Sequence, residues 1–237
     1  MSSFGFLSKL NFLQDIASWS ISKINPAIIH NVEKYNILKK VHYLSSIEGI
    51  EGDYLEFGVF TGSSFCHSIR CSKKLQYLNN TNKYSSFFGF DSFEGFGDIS
   101  DDEKHPFYTD ENFKTSFESV NKRVKKVAKD QKYKLIKGFF EKTLQKNPSH
   151  YKIEKAKIIF IDSDTYSSSR LALNFCKSLL QNGTFIILDD FFSYKGNIKK
   201  GVSKAFYEFI KKSKYNERKV FTYGMGGVVF VLNENSL

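Results

Sequence analysis

The run Asp53-Tyr-Leu-Glu-Phe-Gly-Val-Phe-Thr-Gly62, followed at once by Ser63-Ser-Phe-Cys-His67, decides the fold. Asp53–Phe57 is short, apolar and bounded by glycine, which predicts a buried strand. Gly58 and Gly62 then leave the backbone bare, where a side chain would obstruct an approaching ligand. Ser63 opens a helix predicted to run to Leu78. Strand, glycine turn and helix form the first half of a βαβ unit. The spacing is not the G-x-G-x-x-G of dinucleotide binders. An acid, a glycine and a second glycine four residues later form a looser turn that lets a ligand come close to the backbone.

Working outward, short apolar runs alternate with helical ones. Strands are predicted at Phe87–Asp91, Tyr133–Lys137, Lys157–Asp162 and Thr184–Asp189, with helices at Ser167–Gln181 and Ile198–Lys212. Two late strands, Lys219–Tyr223 and Gly227–Leu232, are joined by a short glycine-rich link and so lie antiparallel to each other. The alternation predicts a doubly wound, mostly parallel seven-stranded α/β sheet with an antiparallel C-terminal hairpin. Upstream, Pro26 opens a helix to about Ile47, with Ile28, Ile29, Val32, Tyr35 and Leu38 expected on its apolar face. Gly49–Gly52 breaks it. Residues 1–50 therefore read as an N-terminal helical extension and residues 51–237 as the main domain. An amphipathic helix over Phe4–Ser20 is expected to pack on a partner subunit, giving a homo-oligomer through the N-terminal helices.

In such sheets ligands sit beyond the carboxyl ends of the strands, near the reversal of strand order. The first two strands place Glu56, Gly58, Gly62, Ser63 and Asp91 there. Glu56 is suited to receive an ammonium group, and Asp91 to bind two ribose hydroxyls. The fourth and fifth strands end in Asp162-Ser-Asp164 and Asp189-Asp190. Neighbouring strands lie about 4.8 Å apart, so Asp162, Asp189 and Asp190 can converge on one point. Crowded carboxylates call for a cation, and an all-oxygen set suits Mg²⁺. Asp164 reads alternatively as a helix cap. Ser92–Asn112, glycine-rich and acidic after a strand end, is expected to be a lid.

The ordered set Tyr54-Leu-Glu-Phe-Gly-Val-Phe-Thr-Gly62, Phe90-Asp-Ser-Phe-Glu-Gly95, Gly138-Phe-Phe-Glu-Lys-Thr-Leu144, Asp162-Ser-Asp-Thr-Tyr166 and Leu188-Asp-Asp-Phe191 resembles the macrocin O-methyltransferases, metal-dependent enzymes that act on sugar hydroxyls. The resemblance covers roughly Glu51 to Phe191. It implies S-adenosylmethionine as cofactor, contacted by Glu56, Gly58, Gly62 and Asp91, with Ser92 and Phe139 near its adenosine. It implies Mg²⁺ on Asp162, Asp189 and Asp190. Phe96-Gly97 replaces the family's usual Leu-Pro, and Ser163 replaces a glycine. The N-terminal helices and the region after Phe191 match poorly.

On this reading a metal lowers the pKa of a sugar hydroxyl and aligns it with the methyl group, and Asp162 is the first candidate for the base that takes its proton. His67 and His150 are alternatives, and Arg170 is a candidate partner for an acceptor phosphate. A catechol-type metal-dependent O-methyltransferase is the nearest rival. The 237 residues carry a net charge of +10, which raises nucleic acid as a partner. No aromatic-basic motif for stacking bases accompanies it. Many of the basic residues read as the solvated face of a helix packed through Phe117, Val120 and Val124. The charge would attract an acidic acceptor such as a nucleotide sugar. Cys66, Cys71 and Cys176 read as reduced thiols of a cytoplasmic protein. No run reaches the roughly 18 apolar residues of a membrane span.

Overall fold

The computed structural model describes residues 10–79, 84–108 and 113–234. Five parallel strands form the sheet's body: β1 (Asp53–Phe57), β2 (Phe87–Asp91), β3 (Tyr133–Lys137), β4 (Ala156–Ile161) and β5 (Phe185–Leu188). β6 (Tyr215–Tyr223) and β7 (Gly227–Glu234) complete it, with β7 antiparallel to both β5 and β6. The spatial order is β3-β2-β1-β4-β5-β7-β6. This is the expected doubly wound sheet with its C-terminal hairpin. The order reverses between β1 and β4, which places the switch point beside Gly58 and Asp162.

The described helices are α1 (Asn11–Lys23), α2 (Pro26–Ile47), α3 (Ser63–Lys74), α4 (Phe117–Ala128), α5 (Phe140–Thr143), α6 (Tyr166–Cys176) and α7 (Gly201–Lys211). They cover both faces of the sheet. Leu55, Phe57, Phe90 and Ile161 pack with Leu173 of α6 and Phe206 of α7. Tyr54, Ile158 and Phe160 point the other way, toward Leu38 of α2, Phe65 of α3 and Val124 of α4. β4 and β5 are buried at every position, which is why they read as unbroken apolar runs.

α2 belongs to this core, since Ile37, Leu38 and Val41 are buried in it. Its start follows the sequence: the Asn25 side chain accepts from the Ala27 N–H, with Pro26 in the first turn. Its buried face matches the expected one only in part: Leu38 is buried and Tyr35 half-buried. Ile28, Ile29 and Val32 are exposed, and Lys34 and His42 turn inward. Lys34 meets carboxylates there, so a polar contact overrides the hydrophobic pattern. α1 buries none of its residues and leaves Phe12, Ile16 and Trp19 exposed. The part of the expected first helix before residue 10 lies outside the described residues.

No described helix is long and apolar enough to cross a membrane. The basic residues of α4 are exposed, as expected, and some of them gather with those of α3. Arg70, Lys73 and Lys74 of α3 meet Arg123 and Lys126 of α4 and the adjoining Lys129 around one shallow groove. Residues some fifty positions apart gather because both helices end on the same side of the sheet. Arg123 there donates to the Thr61 carbonyl at 2.9 Å, and Lys73 pairs with Asp130 at 2.8 Å.

Candidate functional site

A cavity of about 400 Å³ opens where β1, β2, β4 and β5 end, and Gly58, Asp91, Asp162 and Asp189 all line it. The strand ladders continue one residue past the strands. Asp162 N–H donates to the Phe57 carbonyl at 2.8 Å and Asp189 N–H to the Ile161 carbonyl at 3.0 Å. The acids are thereby held level at the switch point. Gly58 has φ +93°, and a Cβ there would lie 1.8 Å from the Asp162 carbonyl oxygen. The close approach this glycine permits is thus to the end of β4 as well as to the cavity.

Asp91 lines the cavity with Ser92 and Phe139. Its Oδ2 accepts from the N–H groups of Val59 at 2.7 Å and Phe60 at 2.8 Å, and Oδ1 from Phe93 at 2.6 Å. Phe60 and Phe93 both have positive φ, so Asp91 pins two strained turns on the cavity's rim. Burial pushes its carboxyl up, while these three N–H bonds oppose the shift. Oδ1 keeps a lone pair for an outside donor. The Ser92 hydroxyl donates to the Gly95 carbonyl and accepts from the Glu94 N–H.

Glu56 does not reach the cavity. It is fully buried, and its two oxygens accept from the Tyr54 hydroxyl and the Ser64 hydroxyl, each at 2.5 Å. Burial raises its pKa to about 7 against both hydroxyls. Glu56 supports the glycine turn from beneath instead of facing a ligand. Gly62, in the left-handed conformation before α3, and Ser63 also lie outside the cavity lining.

The acids sort themselves by partner. Asp162, Asp164 and Asp190 each offer an oxygen, all within 4.8 Å of one another. Asp164 reaches this group with φ +60°, a left-handed turn that aspartate tolerates. Thr165 takes the capping role expected of Asp164, accepting from the Ser168 N–H ahead of α6. Asp189, expected in the metal group, is drawn aside by donors. Tyr223 donates to Oδ1 at 2.5 Å, while Oδ2 faces Lys34 Nζ at 2.6 Å and His30 Nε2 at 3.2 Å. Burial and Asp189 push the Asp162 carboxyl well above its ordinary value. Burial and Asp190 do the same to Asp164. Asp189 moves the other way, because Lys34 and then His30 outweigh burial. Three carboxylate oxygens this close, on acids that resist carrying charge together, form a donor set that fits a hard divalent cation.

Several lining residues have no strong sequence signal. His30 and Lys34 come from α2, on the same helical stripe as buried Ile37, Leu38 and Val41. Their spacing of four, in register with that stripe, was the available cue. Tyr108 donates to Asp190 Oδ1 at 3.3 Å and shares a hydrogen bond with Ser193 at 2.7 Å. Of the other candidates, His67 contacts the Tyr35 carbonyl and Cys71, and His150 packs on Tyr151. Neither lines the cavity. Arg170 is exposed, with its guanidinium over the Tyr166 ring.

The segment after β2 lies across this site. Phe96 and Phe107 line the cavity. Glu103 accepts from the Ser167 N–H at 2.6 Å and the Ser167 hydroxyl at 2.8 Å, and its carbonyl accepts from the Tyr194 hydroxyl at 2.7 Å. A carboxylate from the segment thus caps the first turn of α6. Residues 109–112 of the expected lid lie outside the described residues.

Known proteins share this fold. The mycinamicin III 3''-O-methyltransferase of Micromonospora griseorubida is 25% identical over 179 residues. That match covers 70% of this chain, which spans about two thirds (66%) of the length of that curated relative. The O-methyltransferase NovP has the same fold, with a TM-score of 0.66 at 18% identity over 83% of this chain and 78% of its own. The calicheamicin methyltransferase CalS11 gives 0.65 at 16% identity over 83% and 77%. The model of the macrocin O-methyltransferase (TylF) family matches residues 30–220, from His30 in α2 into β6, and the chain belongs to that family.

Proposed function

We propose that the protein is an O-methyltransferase that moves a methyl group from S-adenosylmethionine to a hydroxyl of a sugar-containing acceptor, with Mg²⁺ at the acidic cluster. The observation that carries this reading is the convergence of Asp162, Asp164 and Asp190 on a cavity that also reaches Gly58, Asp91 and Phe139. One end of that cavity suits a nucleoside and the other a polyol. CalS11 is described as a TDP-rhamnose 3'-O-methyltransferase, which supports a nucleotide sugar as the first acceptor to try.

Asp91 would accept from a ribose hydroxyl through the lone pair left on Oδ1, and Phe139 would flank the base. Asp162, Asp164 and Asp190 would hold the metal in the arrangement seen, and Asp189 would join if Lys34 gave way. When bound, the metal supplies a positive charge that lowers the pKa of an acceptor hydroxyl. Asp162 remains the candidate base. It stands between the Gly58 turn and the other acids, within reach of both the cofactor end and the acceptor end of the cavity. The Phe96 and Phe107 rings would exclude water from the transfer.

Incubation with S-adenosylmethionine, Mg²⁺ and either TDP-rhamnose or a catechol tests the reading. Methylation of the sugar is the expected result. Methylation of the catechol alone would move the enzyme to the other acceptor class. Transfer to neither, with no binding of S-adenosylhomocysteine, would overturn the assignment.

A further inference from the structure

Four carboxylates crowd the ends of β4 and β5, and among the described residues one lysine is paired with two of them. Lys34 Nζ lies 2.6 Å from Asp189 Oδ2 and 3.0 Å from Asp162 Oδ2, on a side chain that is 10% exposed. It also sits 5.6 Å from the centre of the Phe160 ring. The ammonium bridges carboxylates of two neighbouring strand ends, as a divalent ion in the cluster would. His30 completes its setting. The Met225 N–H donates to His30 Nδ1 at 3.2 Å, so Nε2 carries the proton that points at Asp189 Oδ2. Tyr223 donates to the same carboxylate's other oxygen. The helix carrying Lys34 cannot withdraw, because Ile37, Leu38 and Val41 fix it in the core.

We propose that Lys34 is the built-in counter-cation of the acidic cluster. It holds Asp162 and Asp189 together in the metal-free protein and competes with the divalent ion for them, so that α2 sets the site's metal affinity. The physical reason is charge. Acids this close cannot all ionise without a cation. An ammonium bonded to Asp162 supplies one, but it repels an incoming ion and occupies one of its ligands. Lys34 is thus a positioning residue: it acts through the carboxylates and on no reacting atom. The proposal rests on the reading that the cluster takes a divalent cation.

The test is a Mn²⁺ titration of the full chain, followed by electron paramagnetic resonance, on wild type, Lys34→Met and Lys34→Arg. Methionine keeps the length and loses the charge, and arginine keeps the charge. Lys34→Met is expected to bind Mn²⁺ roughly tenfold more tightly, from loss of one nearby positive charge. Lys34→Arg should stay within about threefold of wild type, since the charge remains. In EDTA, Lys34→Met should melt at a lower temperature than wild type and recover more on adding Mn²⁺, because its carboxylates have lost their partner. If Lys34→Met folds only with Mn²⁺ present, chelator competition on that form still yields its affinity. Wild type that binds Mn²⁺ with Lys34→Met equal or weaker would overturn the proposal and leave the metal site standing. Wild type that binds no Mn²⁺ would overturn the metal site itself, and this proposal with it.

Discussion

Glu56 shows how a residue can be found by sequence for one reason and act by another. An acid just before a glycine turn points to a ligand, yet this one is sealed beneath the turn by Tyr54 and Ser64. Its folded pKa of about 7 lies above the unfolded value of 4.5. The folded state therefore binds more protons between those values. The stability this carboxyl contributes is fully present below about pH 4.5 and is lost as pH rises through 7. Glu56→Gln, which keeps one donor and one acceptor for its two partners, should gain about 3 kcal/mol relative to wild type at pH 8 and nothing at pH 4. Urea unfolding at both pH values measures this. Equal effects at both would show that burial does not hold the proton there. Asp91 and Asp162 were legible because strand ends in this fold are known ligand positions, and both do line the cavity. Asp164 joins the acidic group and Asp189 is drawn aside for a reason absent from local sequence: the donors that claim Asp189 come from α2 and β6.

Elements were legible where periodicity was strong. β4 and β5 are buried on both faces, so their ends fell within a residue of expectation. The stretch Pro26–Ile47 was correctly bounded by its proline, but its apolar face was legible only in part, with Leu38 buried as expected. Hydrophobicity favours Ile28, Ile29 and Val32, whereas the folded helix turns toward the acids it neutralises. The segment after β2 offered composition and no period, so its anchor, Glu103, was invisible. That carboxylate joins the segment to the start of α6 through Ser167. Glu103→Ala removes the cap and should cost roughly 1 kcal/mol. It should also speed proteolysis between residues 92 and 108 several-fold and raise KM for the acceptor with less change in kcat. Cutting at the wild-type rate would mean that Phe96, Phe107 and Tyr108 hold the segment without it. In wild type, S-adenosylhomocysteine with acceptor should slow the same cleavage if the segment acts as a lid.

At the scale of the molecule, three distant parts of the chain meet over one sheet edge. α2 brings Lys34 and His30, β4 and β5 bring the acids, and the end of β6 brings Tyr223. A ligand that fills this edge stabilises the whole fold. S-adenosylhomocysteine at a hundredfold excess over its dissociation constant should add about 2.7 kcal/mol. A thermal melt reads it, and a larger shift with NAD would point to a different cofactor. The net charge of +10 bears on encounter with an acidic acceptor and on no part of the fold. The central claim is that a metal at Asp162, Asp164 and Asp190 activates the acceptor while the nucleoside site stands on β1 and β2. The direct measurement is methyl transfer to a nucleotide sugar in EDTA and again after excess Mg²⁺, with S-adenosylhomocysteine binding followed in both. Transfer should vanish in EDTA and return with Mg²⁺, while binding changes by less than about threefold, because its contacts lie on other strands. Full turnover in EDTA, by protein that elemental analysis shows to be free of metal, would contradict it.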